Sequence, residues 1–198
     1  ARTAEELQSM IRAPRMLECG PLTVRFENGS LRLYHGGAEL TNYLNFYASL
    51  LIQQLWNDSQ SFQWGQVQEI EDGISLTGGS RRFAFAQCWE LRRAGDALNL
   101  RVWLEVFEPL EVQECHVSLV LRNEYDRWQT DHEEGAFGAF DPGGGRWFHC
   151  NRKYLPGRRI TATAPGLPAV TLVADDECPV VRMTAVNTTL QENSRVIQ

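Results

Sequence analysis

Apolar and polar residues alternate along most of this chain. In "LNLRVWLEVF", Leu98, Leu100, Val102, Leu104 and Val106 fall on one face of an extended segment, and Asn99, Arg101, Trp103, Glu105 and Phe107 on the other. A period of two predicts a strand with one face buried. The preceding "RFAFAQCWELRR" sets Phe83, Phe85, Trp89 and Leu91 together, and the "AGDA" between the two runs predicts a hairpin.

The same signature recurs. "LTVRF" and "LRLY" flank the turn "ENGS", which "HGG" follows; "QVQEIEDGISLTG" is broken by the tight turn "EDG"; "EVQECHVSLVLRN", "RRITATA", "AVTLVA" and "PVVRMTAVN" are separated by Pro/Gly and acidic breakers. This predicts at least nine short strands in a single all-β domain over residues 1–198, an antiparallel β-sandwich of jelly-roll-like or related form. "TAEELQSMIRA", with Thr3 as N-cap, predicts a short leading helix. "ELTNYLNFYASLLIQQLW" carries a helical stripe at Leu44, Tyr47, Leu51 and Leu55 and an aromatic content suited to extended chain; strand and loop is the reading adopted.

Composition narrows the partners. The formal charge is −6, and Lys153 is the only lysine. A surplus of carboxylates argues against nucleic acid, whose binding needs clustered cations. No apolar run is long enough to span a bilayer. Cys19, Cys88, Cys115, Cys150 and Cys178 are dispersed, without zinc-type spacing, which predicts reduced thiols, several of them facing the core, and a cytoplasmic setting. The first residues have no apolar leader core, and a chain opening on Ala1 is expected to be a piece of a longer protein.

The order of parts in "GGSRRFAFAQCWELRRAGDALNLRVWLEVFEPLEVQECHVSLVLRNEYDRW" resembles the central sheet of galactose-mutarotase-like β-supersandwich domains. There an aromatic-Glu-Leu strand turns at Gly-Asp into a long alternating strand, and the next strand ends near Tyr and Trp; "GGAELTNYLNFYASLL" is similar to the entry into that sheet. The resemblance spans roughly residues 30–130. It implies a sugar-binding protein, either an enzyme of the aldose mutarotase, epimerase or lyase type or an accessory domain. The mutarotases' histidine acid and late glutamate base match no motif here, and the chain is shorter than a full mutarotase. Both departures favour the accessory form, with no cofactor.

Sugars are held by an aromatic platform under the C–H face of the ring and by a few polar groups at its rim. "EYDRWQTDHEEGAFGAFDPGGGRWFHC", read as a long loop, supplies both. Trp128, Trp147 and Phe148 are candidate platforms; Asp126, Asp131, His132, Glu133, Glu134, Arg146 and His149 are candidate rim groups; Trp103 is added from the sheet. If "DHEE" is extended, His132 and Glu134 share a face as a candidate acid/base pair, set against the plainer reading of a solvated acidic loop. A metal held by His132, Glu134 and His149 fits no ligand spacing, and calcium on Asp126, Asp131, Glu133 and Asp141 lacks the EF-hand pattern.

Other residues read as structural. His116 is expected to be half-buried and satisfied in a strand; His35 lies in a turn; Cys150 and His149, adjacent in a strand, face opposite ways. Three functions follow: a carbohydrate-binding domain beside a sugar-modifying enzyme domain, an epimerase- or lyase-type enzyme using His132 and Glu134, or an assembly module with Trp56 and Trp64 against a flanking domain or a second copy.

Overall fold

The computed structural model describes residues 15–140, 147–152, 155–178, 181–190 and 192–198; the expected leading helix lies outside them. The described residues are all-β and contain no α-helix, only a short 3-10 turn at Ser59–Ser61. The strands are β1 (Arg15–Cys19), β2 (Leu22–Glu27), β3 (Ser30–His35), β4 (Ala38–Glu39), β5 (Thr41–Ile52), β6 (Leu55–Asp58), β7 (Gln63–Trp64), β8 (Gln68–Ile70), β9 (Gly73–Gly79) and β10 (Phe85–Ala94). They continue with β11 (Ala97–Val106), β12 (Glu114–Leu121), β13 (Arg127–Thr130), β14 (Glu134–Ala136), β15 (Trp147–His149), β16 (Arg159–Thr163), β17 (Val170–Val173), β18 (Ala185–Thr188) and β19 (Ser194–Ile197). By internal packing the chain divides into two compact units, Ala1–Gly37 with Ser59–Leu110 and Ala38–Asp58 with Glu111–Gln198.

In the first unit, β1, β2 and β3 form an antiparallel meander, and a second antiparallel sheet runs β11-β10-β9-β7 with β8 also on β9. The expected turns are present. Glu27 pairs with Ser30 across Asn28-Gly29, both at positive φ (47° and 82°), the geometry that suits the right-handed twist of a hairpin. Ala94 pairs with Ala97 across Gly95-Asp96, and Ile70 with Gly73 across Glu71-Asp72.

Rings join the two sheets of this unit. The Phe26 ring on β2 meets Trp89 on β10 edge-on at 6.2 Å and Trp64 on β7 at 5.4 Å; Trp64 and Trp89 are 5.1 Å apart. Edge-to-face packing of this kind adds to the apolar area that the rings bury. Strand β11 alternates as expected, but Leu98, Leu100, Val102 and Leu104 are only half-buried. It is the outermost strand of its sheet order, so the predicted face lacks a neighbour on one side.

In the second unit, β6-β5-β12-β19-β18-β15 form one antiparallel sheet and β14-β13-β16-β17 another. The long β5 explains why its segment reads two ways. Phe46, Ala48, Leu50 and Ile52 are buried on one face, and Tyr47 and Ser49 on the other, so alternation of hydrophobicity is lost. Arg195 of β19 ties this sheet to the segments on either side of the β13/β14 hairpin, donating from Nε to the Tyr125 carbonyl (3.0 Å) and from Nη1 to the Gly138 carbonyl (2.8 Å), and it donates to Asn187 Oδ1 of β18 (2.6 Å). Its guanidinium lies 3.9 Å over the Phe140 ring, and burial lowers its pKa.

Candidate functional site

The stretch 124–150 is not one long loop. Residues 127–136 make the β13/β14 hairpin of the smaller sheet, with Gln129 opposite Glu134, whereas 147–149 form β15 of the larger sheet, opposite β18. "TDHE" is the hairpin turn. Thr130 N–H donates to the Glu133 carbonyl (2.8 Å), and the His132 and Glu133 amides donate to Thr130 Oγ1 (3.3 and 3.1 Å). The strand alternation that would set His132 and Glu134 on one face therefore does not apply; both are exposed at the turn.

Two of the rim carboxylates hold loops in place. Asp131 Oδ2 accepts the backbone N–H groups of Arg158 (2.5 Å) and Arg159 (3.0 Å), which lower its pKa. Glu133 accepts from the Arg152 amide (3.0 Å) and Nε (3.2 Å). Asp126 is exposed, and its backbone is laddered to Thr163 and Phe137. Trp128 is only 5% exposed, and its indole N–H donates to the Ala136 carbonyl (3.2 Å). It packs the core and offers no platform. Trp103 is half-buried on β11 of the first unit, under the Arg101 guanidinium at 5.7 Å from its centroid; Arg146 lies outside the described residues.

Trp147 and His149 lead elsewhere. His149 is opposite Val186, Val186 opposite Val196, and Val196 opposite Val120, so these side chains share one face of the larger sheet. Trp147 packs on the cluster formed there by Tyr47, Val120, Val186 and Val196. Following register towards the other edge of the sheet gives three polar rows on that face. The first is Tyr47, Ser118, Gln198 and Thr184: Ser118 Oγ donates to Gln198 Oε1 (3.0 Å), and Gln198 and Thr184 exchange backbone bonds of 3.0 and 2.7 Å. The second is Asp58, Ser49 and His116; the third is Trp56, Leu51 and Glu114.

This rim is open and chemically dense. Trp56 is 46% exposed, and its ring lies 4.9 Å from the His116 imidazole. His116 Nε2 is 3.0 Å from Glu114 Oε2, which orients the imidazole. The Asp58 carboxyl is raised by burial, offset by a hydrogen bond with Ser49. The phenol of Tyr47 is pushed up to about 12 by burial and by the Asp58 charge, against a hydrogen bond with Ser118. A solvent-exposed indole beside a carboxylate-oriented imidazole and a second carboxyl can stack on a ring and bond its hydroxyls.

His116 and Trp56 read from sequence as a satisfied strand residue and an assembly contact. Their grouping depends on pairing residues more than fifty positions apart; the only local signal is the alternation of Glu114, His116 and Ser118. In the first unit, a cleft of about 400 Å³ is lined by Met16, Leu17, Glu69, Ile70, Ile74 and Arg93. Its guanidinium is engaged, Arg93 Nε donating to the Glu18 carbonyl (2.8 Å). Among the described residues no three His, Cys, Asp or Glu side chains converge as a metal requires, and no helix is long and apolar enough to cross a membrane. No protein-family model, curated protein or solved structure matches the chain.

Proposed function

We propose that the chain is a carbohydrate-binding β-sandwich domain of the galactose-mutarotase-like kind, accessory to a sugar-modifying enzyme, in a reducing, cytoplasmic setting. The observation that carries the reading is the exposed Trp56 ring 4.9 Å from His116, on the face that also presents Asp58 and Glu114. An indole supplies the apolar platform, and the imidazole and carboxyls supply directional partners for hydroxyls. The sandwich assignment draws support from paired antiparallel sheets joined through ring packing in the first unit and through Arg195 in the second. All five cysteines are free thiols, which suits a reducing compartment.

The site moves relative to the sequence reading. Trp147 and His149 share the face but stand on β15, at the opposite edge of the sheet from β6, and Trp128 lies in the core. A thermal-shift and calorimetric screen of mono- and oligosaccharides tests the function. A ligand at 100 times its dissociation constant stabilises by about 2.7 kcal/mol. Binding without turnover, abolished by Trp56→Ala at unchanged melting temperature, is the expected result. Absence of any saccharide response would overturn the reading.

A further inference from the structure

The rim of the face has a charge sign. The two rows nearest β6 present the carboxyls of Asp58 and Glu114, with His116 as the one basic side chain on them among the described residues. Among the described residues no arginine or lysine stands on those rows. Arg182, two positions before Thr184, pairs with Pro156 beyond the end of β18. The adjoining row adds neutral groups only: the Tyr47 phenol, Ser118, Gln198 and Thr184.

The adjoining row ends on a buried hydroxyl. Thr184 is 5% exposed, and its hydroxyl has no hydrogen-bond partner among the described residues. Thr184 lies opposite Gln198, so its side chain emerges on the same face as the row. A buried hydroxyl without a partner costs free energy.

We infer that this site accepts saccharides without anionic groups and rejects uronic acids and sugar phosphates. The inference rests on the carbohydrate-binding reading and adds the ligand's charge class. A ligand carboxylate or phosphate near Asp58 and Glu114 meets like charge, and among the described residues these rows hold no guanidinium fork to bind it. A hydroxyl instead donates to either carboxyl. An amino sugar's ammonium gains from both carboxyls and from the exposed Trp56 ring.

The test uses the intact chain and matched ligand sets measured by calorimetry near neutral pH: glucose, glucosamine and glucuronate, the corresponding galactose series, and oligosaccharides of neutral and uronate units. Neutral or amino members should bind at least about tenfold tighter than their uronate counterparts. The isosteric double variant Asp58→Asn/Glu114→Gln should close that gap by strengthening uronate binding, a gain that misfolding cannot mimic. Uronates binding as well as neutral sugars to the wild-type chain would overturn the charge assignment and leave carbohydrate binding standing. A failure of every saccharide to bind would overturn both.

Discussion

A Cβ on Gly135 would lie 2.7 Å from Cζ2 of Trp128, so the indole rests directly on the backbone of the neighbouring strand β14. Trp128→Ala should cost about 3 to 5 kcal/mol in denaturant unfolding, as other core truncations of large aromatics do. Gly135→Ala should cost about 1 to 3 kcal/mol by overpacking. Saccharide affinity of either folded variant should match that of the wild type. A stable Trp128→Ala chain that loses affinity would return this indole to the site.

The Gly29 turn is held on three sides. Ser59 Oγ donates to the Gly29 carbonyl (2.5 Å), Trp64 Nε1 donates to the Ser59 carbonyl (2.8 Å), and a Cβ on Gly29 would lie 2.2 Å from that same carbonyl oxygen. With φ at 82° as well, Gly29→Ala should destabilise by at least about 2 kcal/mol and quench or shift the Trp64 fluorescence.

The turn between β5 and β6 is chemically mismatched. Gln53 and Gln54 both hold positive φ (52° and 62°), where Asn-Gly is the favoured pair. Gln53→Asn/Gln54→Gly should stabilise by about 1 kcal/mol in thermal unfolding. The backbone N–H of residue 54 still reaches Gln113 Oε1, 2.9 Å away in the wild type, so the gain should not disturb the adjoining loop.

Arg195 should resist conservative replacement. Arg195→Met leaves the Tyr125 and Gly138 carbonyls and Asn187 Oδ1 without this donor, at a cost of about 3 kcal/mol or more. Arg195→Lys should recover little, because an ammonium cannot reproduce the planar fork or the stack on Phe140. Urea midpoints of the two variants, compared at equal m-value, check this.

Alkaline pH should loosen the fold through Tyr47 and Tyr125. Both phenols are pushed up to about 12, chiefly by burial, and Tyr125 Oη donates to the Pro168 carbonyl (2.9 Å). A raised folded-state pKa means that the native state keeps protons the unfolded chain has released. Their stabilising contribution is full below the ordinary value near 10 and is lost as pH rises towards 12. Phenolate absorbance followed with pH should show two late-titrating tyrosines, and Tyr47→Phe should lessen the alkaline loss. Early titration of both groups would contradict their burial.

Strands and turns could be read from local pattern because both are set by neighbours on the chain. The alternation around Trp89 and the Gly95-Asp96 and Asn28-Gly29 pairs specify β10, β11 and the β2/β3 hairpin with no knowledge of the rest. The strand over Thr41–Ile52 was harder to read because both its faces carry buried residues; only packing on each side makes it extended rather than helical. "DHEE" misled for the opposite reason. Its residue types suit catalysis and equally suit a turn, and the Thr130 hydroxyl and the strand pairing at Gln129 and Glu134 select the turn.

The amino-acid order alone therefore determined an antiparallel all-β chain, its tightest hairpins and a surplus of carboxylates, all of which follow from side-chain period, backbone preference and charge count. Tertiary structure decided which alternate face meets a partner and which residues stand side by side. Trp56 and Asp58 join Glu114 and His116 because β5 hydrogen-bonds to β6 on one edge and to β12 on the other. Register across strands is a long-range choice made by packing, and a period of two along one strand carries no record of which strand will lie next to it.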